Sequence, residues 1–322
     1  RIVTASARLS RRLAWRALLA CWPMRAQAHA FSDALLAPEP AEFEEELRER
    51  EVERWFFDHP RVASLVGWGI AAGEHARGEL VVLLRAGQPI ALPRELGGRP
   101  VRAQFVGAAQ LLAQPPSAQP PAALHTLPLP RPVPWGARIS HLHGSQGSLG
   151  CLAYRGDQAF LLSNCHVIAN NGEARLGDAI VQPPMSMRPA RDAIAYLSDY
   201  APVRTTATHP LREHNNTVDA AIARLREPSP RARQGYVARA LPAGPALTSY
   251  RLTRHIPLGL RVCKLGGMTG RTEGVVKLVR ASFKVPFGDG IAMFRRQLLT
   301  SLLGEPGDSG SLVFEPTQGS AV

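Results

Sequence analysis

Runs of apolar residues separated by polar and turn-forming residues predict several short strands along this chain and one helix near its beginning. Over residues 42–57, apolar side chains fall near one side of a helix and lie among glutamates and arginines. Residues 62–70, 79–85 and 101–106 are apolar segments bounded by turn residues, which predicts three strands. The pattern therefore predicts a small α/β domain over residues 31–113.

A proline-rich segment follows this domain. Eight prolines occur between Pro115 and Pro134, and this density favours a semi-rigid chain without a packed core. We therefore assign residues 114–135 to a linker and residues 136–322 to a separate domain. The linker is either a spacer or a Pro-rich docking site for a partner, and the partner of the preceding domain is unknown from its sequence.

The first thirty residues differ from the rest in composition. Residues 1–30 hold six arginines and no acidic residue, so they carry half of the formal net charge of +12. Their apolar run over residues 13–22 and the small residues near position 30 indicate either an export signal or a mis-assigned start, and a cytoplasmic location is favoured over export.

Charge and hydropathy argue against a nucleic-acid partner and against a membrane-spanning segment. The remaining positive charge is dispersed, it is almost all arginine, and no nucleic-acid-binding motif occurs, so we expect no nucleic-acid partner. No apolar run is long enough to span a bilayer, so we expect no membrane-spanning segment.

Three short motifs in the C-terminal domain carry residues suited to nucleophilic catalysis. His166 follows the apolar run 159–162, Asp219 precedes the strand-like segment 220–225, and Ser309 lies within Gly-Asp-Ser-Gly. A serine hydroxyl needs a neutral imidazole to accept its proton, and the imidazole needs a carboxylate that fixes its tautomer and stabilises its cation. We therefore assign Ser309 as the nucleophile, His166 as the general base and Asp219 as the orienting carboxylate. Taken singly, each would be an ordinary turn or structural residue.

The turn around the serine also offers backbone donors. The N–H groups of Gly307 and Ser309 can point at the negative oxygen that develops on an attacked carbonyl. Glycine at positions 307 and 310 permits the tight backbone that this requires. Gly307 and Ser309 are therefore the predicted oxyanion-hole donors.

The chain order His, Asp, Ser and the segments around these residues resemble those of chymotrypsin/trypsin-like serine peptidases. Subtilisin-type enzymes and α/β-hydrolases use other orders. Within the superfamily, the sequence resembles a bacterial branch with Gly-Cys-Leu-Val, Leu-Ser-Asn-x-His-Val, Asn-Thr-Val-Asp-Ala-Ala-Ile-Ala and Pro-Gly-Asp-Ser-Gly-Ser-Leu motifs. The corresponding segments here are residues 150–153, 162–167, 216–223 and 306–312.

This resemblance implies a fold and a function. The fold would be mainly β, a chymotrypsin-like double β-barrel behind the small α/β domain, with the second barrel expected to be incomplete at the C-terminal end of this sequence. The function would be that of a serine endopeptidase that hydrolyses polypeptide substrates through an acyl-enzyme, with no cofactor. The resemblance also places Leu303 at the floor of the specificity pocket and turns the Asp308 carboxylate inward, where we expect an internal cationic or hydrogen-bonding partner. The alternative is a catalytically inactive protease-fold binding or scaffold protein.

The cysteines and histidines do not predict a disulfide framework or a metal site. Cysteines at 21, 151, 165 and 263 are sparse, and Cys151 and Cys165 are predicted on neighbouring strands, where they form either a bridge or, more commonly, free buried thiols. Cys165 adjoins His166, but neighbours along a strand point apart, so Cys165 is not expected to be a nucleophile. The histidine pairs 141/143 and 209/214 have no further ligand at a recognised zinc spacing, so we expect no metal site.

Overall fold

The computed structural model describes residues 40–73, 78–88, 90–106, 128–129, 131–227, 249–250 and 256–322. The segment 1–30 and most of the predicted linker 114–135 lie outside these residues. The described residues form two compact units, one from residue 40 to 106 and one from residue 128 to 322. The predicted domain boundaries stay predictions.

The N-terminal unit combines one long helix with a small sheet. Its elements are α1 (Pro40–Asp58), a 3₁₀ turn (Val62–Ser64), β1 (Leu65–Ala71), β2 (Glu79–Arg85), β3 (Glu95–Leu96) and β4 (Arg99–Val106). Strand β2 pairs antiparallel with β1 and parallel with β4, and β3 pairs antiparallel with β4. The rings of Phe56 and Trp68, with centroids 4.7 Å apart, pack the helix against β1. The strand predicted at 62–70 begins only at Leu65, because the preceding residues form the 3₁₀ turn.

The first sheet of the C-terminal unit has seven strands. These are β5 (Arg138–His141), β6 (Gln146–Ser148), β7 (Cys151–Arg155), β8 (Gln158–Ser163), β9 (Ala179–Val181), β10 (Ala193–Tyr200) and β11 (Ala221–Leu225). They pair in the order β6-β5-β9-β10-β11-β8-β7, and every pair is antiparallel. Two short helices accompany them, α2 (Cys165–Ile168) and α3 (Pro189–Asp192). Helix α2 is fully buried and packs into the core of this sheet with Ile139, Leu161 and Ile180.

The second sheet is built around one long hairpin. Its strands are β12 (Ser249–Tyr250), β13 (Arg261–Gly266), β14 (Gly270–Phe287), β15 (Gly290–Thr300), β16 (Val313–Glu315) and β17 (Ser320–Ala321). Strand β13 lies between β14 and β16, β15 pairs with β14, and β17 lies between β16 and β12. The predicted mainly β fold class is confirmed, with a small α/β unit before the two sheets. Among the described helices, none is long and apolar enough to cross a membrane.

Candidate active site

Helix α2 and the start of β11 bring His166 and Asp219 together. Strand β11 pairs with β8, and Ala221 lies opposite Ser163, so the residues just beyond these two positions meet at one end of the sheet. The His166 backbone N–H donates to Asp219 Oδ1 at 3.2 Å, and the ring Nδ1 forms a short hydrogen bond with Asp219 Oδ2. Asn164 Nδ2 donates to the Asp219 carbonyl. With Nδ1–H held by the carboxylate, Nε2 is the ring nitrogen left to accept a proton.

The imidazole of His166 lies in an apolar environment. Its side chain is 0% exposed, and the ring of Phe287 stands edge-on to it with a centroid separation of 6.2 Å. Phe287 ends β14 at the tip of the long hairpin and also contacts Phe294 on β15, with a centroid separation of 6.1 Å. The hairpin of the second sheet therefore encloses the ring of a residue that the first sheet positions.

Ser309 lies in a turn between the two sheets. Both glycines that flank it in the motif have positive φ, +104° at Gly307 and +89° at Gly310. A Cβ at Gly310 would lie 2.5 Å from the carbonyl oxygen of Ser148 on β6. Glycine is therefore required at position 310 by both conformation and space.

Asp308 anchors this turn. Its carboxylate accepts hydrogen bonds from Lys264 Nζ (3.0 Å), Thr269 Oγ1 (2.7 Å) and the backbone N–H groups of Met268 (2.9 Å), Thr269 (3.1 Å) and Glu305 (3.0 Å). The side chains of Lys264 and Asp308 are 7% and 1% exposed. The expected internal cation is therefore Lys264 on β13, and that prediction is confirmed.

These contacts set the charge state of Asp308. Burial raises the pKa of its carboxyl, but the hydrogen bonds from Glu305, Thr269, Met268 and Lys264 outweigh burial and hold the pKa below its usual value. A second buried cation, Arg138 on β5, interacts with the same carboxylate; burial lowers the pKa of Arg138 and the charge of Asp308 opposes that shift. The turn thus contains an ionised carboxylate that interacts with two buried cations.

The atoms assigned to the chemical step form no hydrogen bonds with the described residues. His166 Nε2 and Ser309 Oγ are both buried, and neither has a hydrogen-bond partner among the described residues. The backbone N–H groups of Gly307 and Ser309 likewise donate to no described residue. The structure therefore joins His166 to Asp219 and leaves the hydroxyl of Ser309 without a hydrogen bond to the imidazole.

Leu303 is exposed to solvent. The residue is 60% exposed, and its carbonyl accepts a hydrogen bond from Thr272 Oγ1 at 3.2 Å. Its assignment to the floor of a specificity pocket stays a prediction.

The described cysteines are free and buried. Cys151, Cys165 and Cys263 form no disulfide, so of the two outcomes left open for Cys151 and Cys165 the structure has the free thiols. Cys165 begins α2 rather than continuing a strand, and Cys151 lies opposite Leu162 instead. Burial, together with the negative charge of Asp219, raises the pKa of the Cys165 thiol well above its usual value. A thiol in this state is a poor nucleophile.

Two histidines outside the candidate site, His141 and His214, have structural partners. His141 Nε2 bonds to Asp178 Oδ2 at 3.1 Å. His214 is fully buried; its Nε2 contacts the carbonyl of His209 at 2.9 Å and its Nδ1 accepts from the Met293 N–H at 3.2 Å. Across the described part of the chain, no group of three or more metal-binding side chains occurs.

Sequence reasoning did not name Lys264 or Ser148, which hold the turn in place. Lys264 is one of only three lysines in a chain whose other cations are arginines, and it precedes a Gly-Gly turn. The rarity of lysine could therefore have singled out Lys264. Nothing in the sequence singled out Ser148, because its partner Gly307 is 159 positions away.

Known proteins similar to this chain are found among solved structures. No protein-family model matches the sequence, and no curated protein matches it. In structure the chain is similar to a chymotrypsin of Cellulomonas bogoriensis, with 17% identity over 59% of this chain and 79% of that chain and a TM-score of 0.37. It is similar to Protease A of Thermobifida fusca, with 16% identity over 59% and 80% and a TM-score of 0.38. A glutamic acid specific serine protease shows 20% identity over 59% and 82% and a TM-score of 0.39. At this level of identity, the chemistry has to be inferred from this chain's own residues.

Proposed function

We propose that this protein is a serine endopeptidase that hydrolyses peptide bonds through an acyl-enzyme intermediate. The observation that carries the proposal is the buried His166–Asp219 pair, whose free Nε2 lies on the ring edge away from the carboxylate. A buried imidazole bonded to a carboxylate in this way is suited to accept a proton and to carry positive charge in the transition state.

Each group has a defined part in the reaction. Ser309 Oγ adds to the carbonyl carbon of the scissile bond while its proton passes to His166 Nε2. The imidazolium, stabilised by Asp219, then gives that proton to the leaving amine nitrogen as the C–N bond breaks. Water attacks the resulting ester by the same route, returning the proton to Ser309. The N–H groups of Gly307 and Ser309 would stabilise the oxyanion in both steps.

Two observations favour a second candidate function, a catalytically silent binding or scaffold protein. His166 is 0% exposed, and the hydroxyl of Ser309 does not bond to it. Catalysis would require a hydrogen bond between these two groups in the substrate complex, and such bonds are often absent before substrate binds.

Labelling with a fluorophosphonate probe separates the two functions. We expect the purified wild-type protein to be labelled and Ser309→Ala not to be, because the probe reacts only with an activated serine. Ser301→Ala, which removes an exposed serine of the same unit, is the matched control and should be labelled like wild type. Absence of label on folded wild-type protein would support the scaffold, and labelling of Ser309→Ala would exclude Ser309 as the nucleophile.

A further inference from the structure

We propose that Ser148 is a positioning residue for the oxyanion turn, the segment of residues 307–310, and so for the peptidase reaction. This inference rests on the proposed function. Ser148 is the last residue of β6, and it is fully buried. It belongs to the first sheet, whereas the turn leads into β16 of the second.

The hydroxyl of Ser148 joins two segments that frame the candidate nucleophile. It donates to the carbonyl of Gly307 at 2.8 Å and accepts from the N–H of Gly267 at 2.8 Å. Gly267 begins the turn after β13, whose next two residues donate their N–H groups to Asp308. One hydroxyl thus links the oxyanion turn to the segment that holds its buried carboxylate.

The backbone of Ser148 contacts the other side of the turn. Its N–H donates to the carbonyl of Ser309 at 2.6 Å, and its own carbonyl accepts from Ser163 Oγ at 2.8 Å. Ser148 therefore bonds the carbonyl groups on both sides of Asp308. All of its donors and acceptors are used within the protein, which is the expected arrangement for a buried polar residue.

These contacts determine where the oxyanion donors point. The carbonyl of Gly307 is held by Ser148, and the N–H of Asp308 donates to Glu305 O at 2.9 Å, so the peptide plane between residues 307 and 308 is fixed at both ends. The orientation of that plane constrains the backbone of Gly307, whose own N–H is a proposed donor. Without the hydroxyl, the buried carbonyl of Gly307 and the buried N–H of Gly267 lose a partner, and rotation of the turn to regain one would move the donor.

Strand β6 packs directly against the oxyanion turn. The backbones approach so closely that a Cβ at Gly147 would lie 2.7 Å from the Ser309 carbonyl, and a Cβ at Gly310 would lie 2.5 Å from the Ser148 carbonyl. The contact between β6 and the turn is therefore backbone to backbone, with Ser148 Oγ as the side-chain link at Gly307.

The test compares kcat and KM for Ser148→Ala, Ser148→Cys and Ser148→Thr, using the peptidyl ester that wild type hydrolyses fastest in a library. We expect Ser148→Ala to lower kcat by about 10- to 100-fold with KM changed by less than about threefold, because the donors are needed in the transition state rather than in substrate binding. Ser148→Thr restores the hydroxyl and should regain most of kcat. Ser148→Cys keeps the shape of the side chain but forms a much weaker hydrogen bond, so its kcat should resemble that of Ser148→Ala. If the alanine variant does not fold, the cysteine variant decides the outcome.

Ser140→Ala is the matched control. It removes a buried serine hydroxyl of the same sheet, which accepts from the Met185 N–H at 2.8 Å and bonds no residue of the turn, so it should lower stability without lowering kcat. The proposal is overturned if Ser148→Ala or Ser148→Cys retains wild-type kcat, or if Ser140→Ala lowers kcat as much. Failure of the proposed function is a different result, in which folded wild-type protein hydrolyses no ester and takes no fluorophosphonate.

Discussion

Removing the charge of Lys264 tests whether the buried ion pair with Asp308 holds the candidate site together. Replacement by methionine keeps most of the side-chain volume and deletes the ammonium group that lies 3.0 Å from the carboxylate. Breaking a buried pair by removing one partner typically costs 3–5 kcal/mol, because the other charge stays buried. Asp308 keeps four other hydrogen bonds, from Thr269 Oγ1 and three backbone N–H groups, so we expect the lower end, about 3 kcal/mol.

The assay is urea and thermal denaturation of wild type, Lys264→Met, Asp308→Asn and the double variant. For a unit of this size, about 3 kcal/mol corresponds to a fall of roughly 6–12 °C in Tm. The double-mutant cycle should give a coupling of at least about 1 kcal/mol, since neutralising Asp308 removes the uncompensated charge. Lys277→Met, at an exposed position on β14, is the control and should change stability by less than about 0.5 kcal/mol.

The cost of Lys264→Met should also depend on pH. The folded-state pKa of Asp308 is lowered from its ordinary value of 3.8. The stability that ionised Asp308 contributes to the folded state is therefore complete above that pH and is lost as the pH falls through the folded-state pKa. Lys264 is one of the groups that lowers this pKa, so the gap between wild type and variant should narrow as the medium is acidified below about pH 4. A loss under about 1 kcal/mol at pH 7, or a loss that does not change on acidification, would refute the reasoning.

Three further substitutions test other parts of the site. Asp219→Asn should leave the fold intact, as checked by circular dichroism, and lower ester turnover by roughly 10⁴-fold, because an amide favours the wrong tautomer of His166; activity near that of wild type would exclude Asp219. Cys165→Ser should retain the serine chemistry, and the Cys165 thiol should react with iodoacetamide only on unfolding, since burial and Asp219 raise its pKa; loss of activity there with activity retained in Ser309→Ala would indicate a cysteine mechanism. Gly310→Ala should abolish fluorophosphonate labelling, because φ is +89° and a Cβ would meet the Ser148 carbonyl at 2.5 Å; unchanged labelling would mean that the turn is not packed as described.

Local sequence was sufficient to predict the strands that flank His166 and Asp219, although not the short helix α2 that carries His166. The apolar run before His166 is β8, and the segment after Asp219 is β11, one residue later than predicted. Glycines at 307 and 310 have positive φ values, which agrees with the tight backbone predicted for this turn. These features depend on hydrophobic periodicity and turn chemistry, which act over a few residues.

The long-range contacts could not be predicted in the same way. The contact between Phe287 and His166 depends on the length of the β14–β15 hairpin, and the 3₁₀ turn before β1 replaced part of an apolar segment that suited a strand. The partner of Asp308 was predicted as a kind of group but not as Lys264, 44 positions away. Such pairings are decided by tertiary packing, which composition and spacing along the chain do not encode.

The hydrogen bonds that hold the turn limit how Ser309 Oγ could reach His166 Nε2, to which it is not bonded. The backbone of Ser309 is held on the first sheet through its carbonyl, and the preceding carboxylate is held on the second through Lys264. Moving this backbone toward the imidazole would break several buried hydrogen bonds, at about 1–3 kcal/mol for each group left unpaired. Rotation of the Ser309 side chain between staggered rotamers breaks none of them, because its hydroxyl is bonded to no described residue. We therefore expect the hydrogen bond that the proposed reaction requires to be made by rotation of the Ser309 side chain, with the backbone of the turn kept in place.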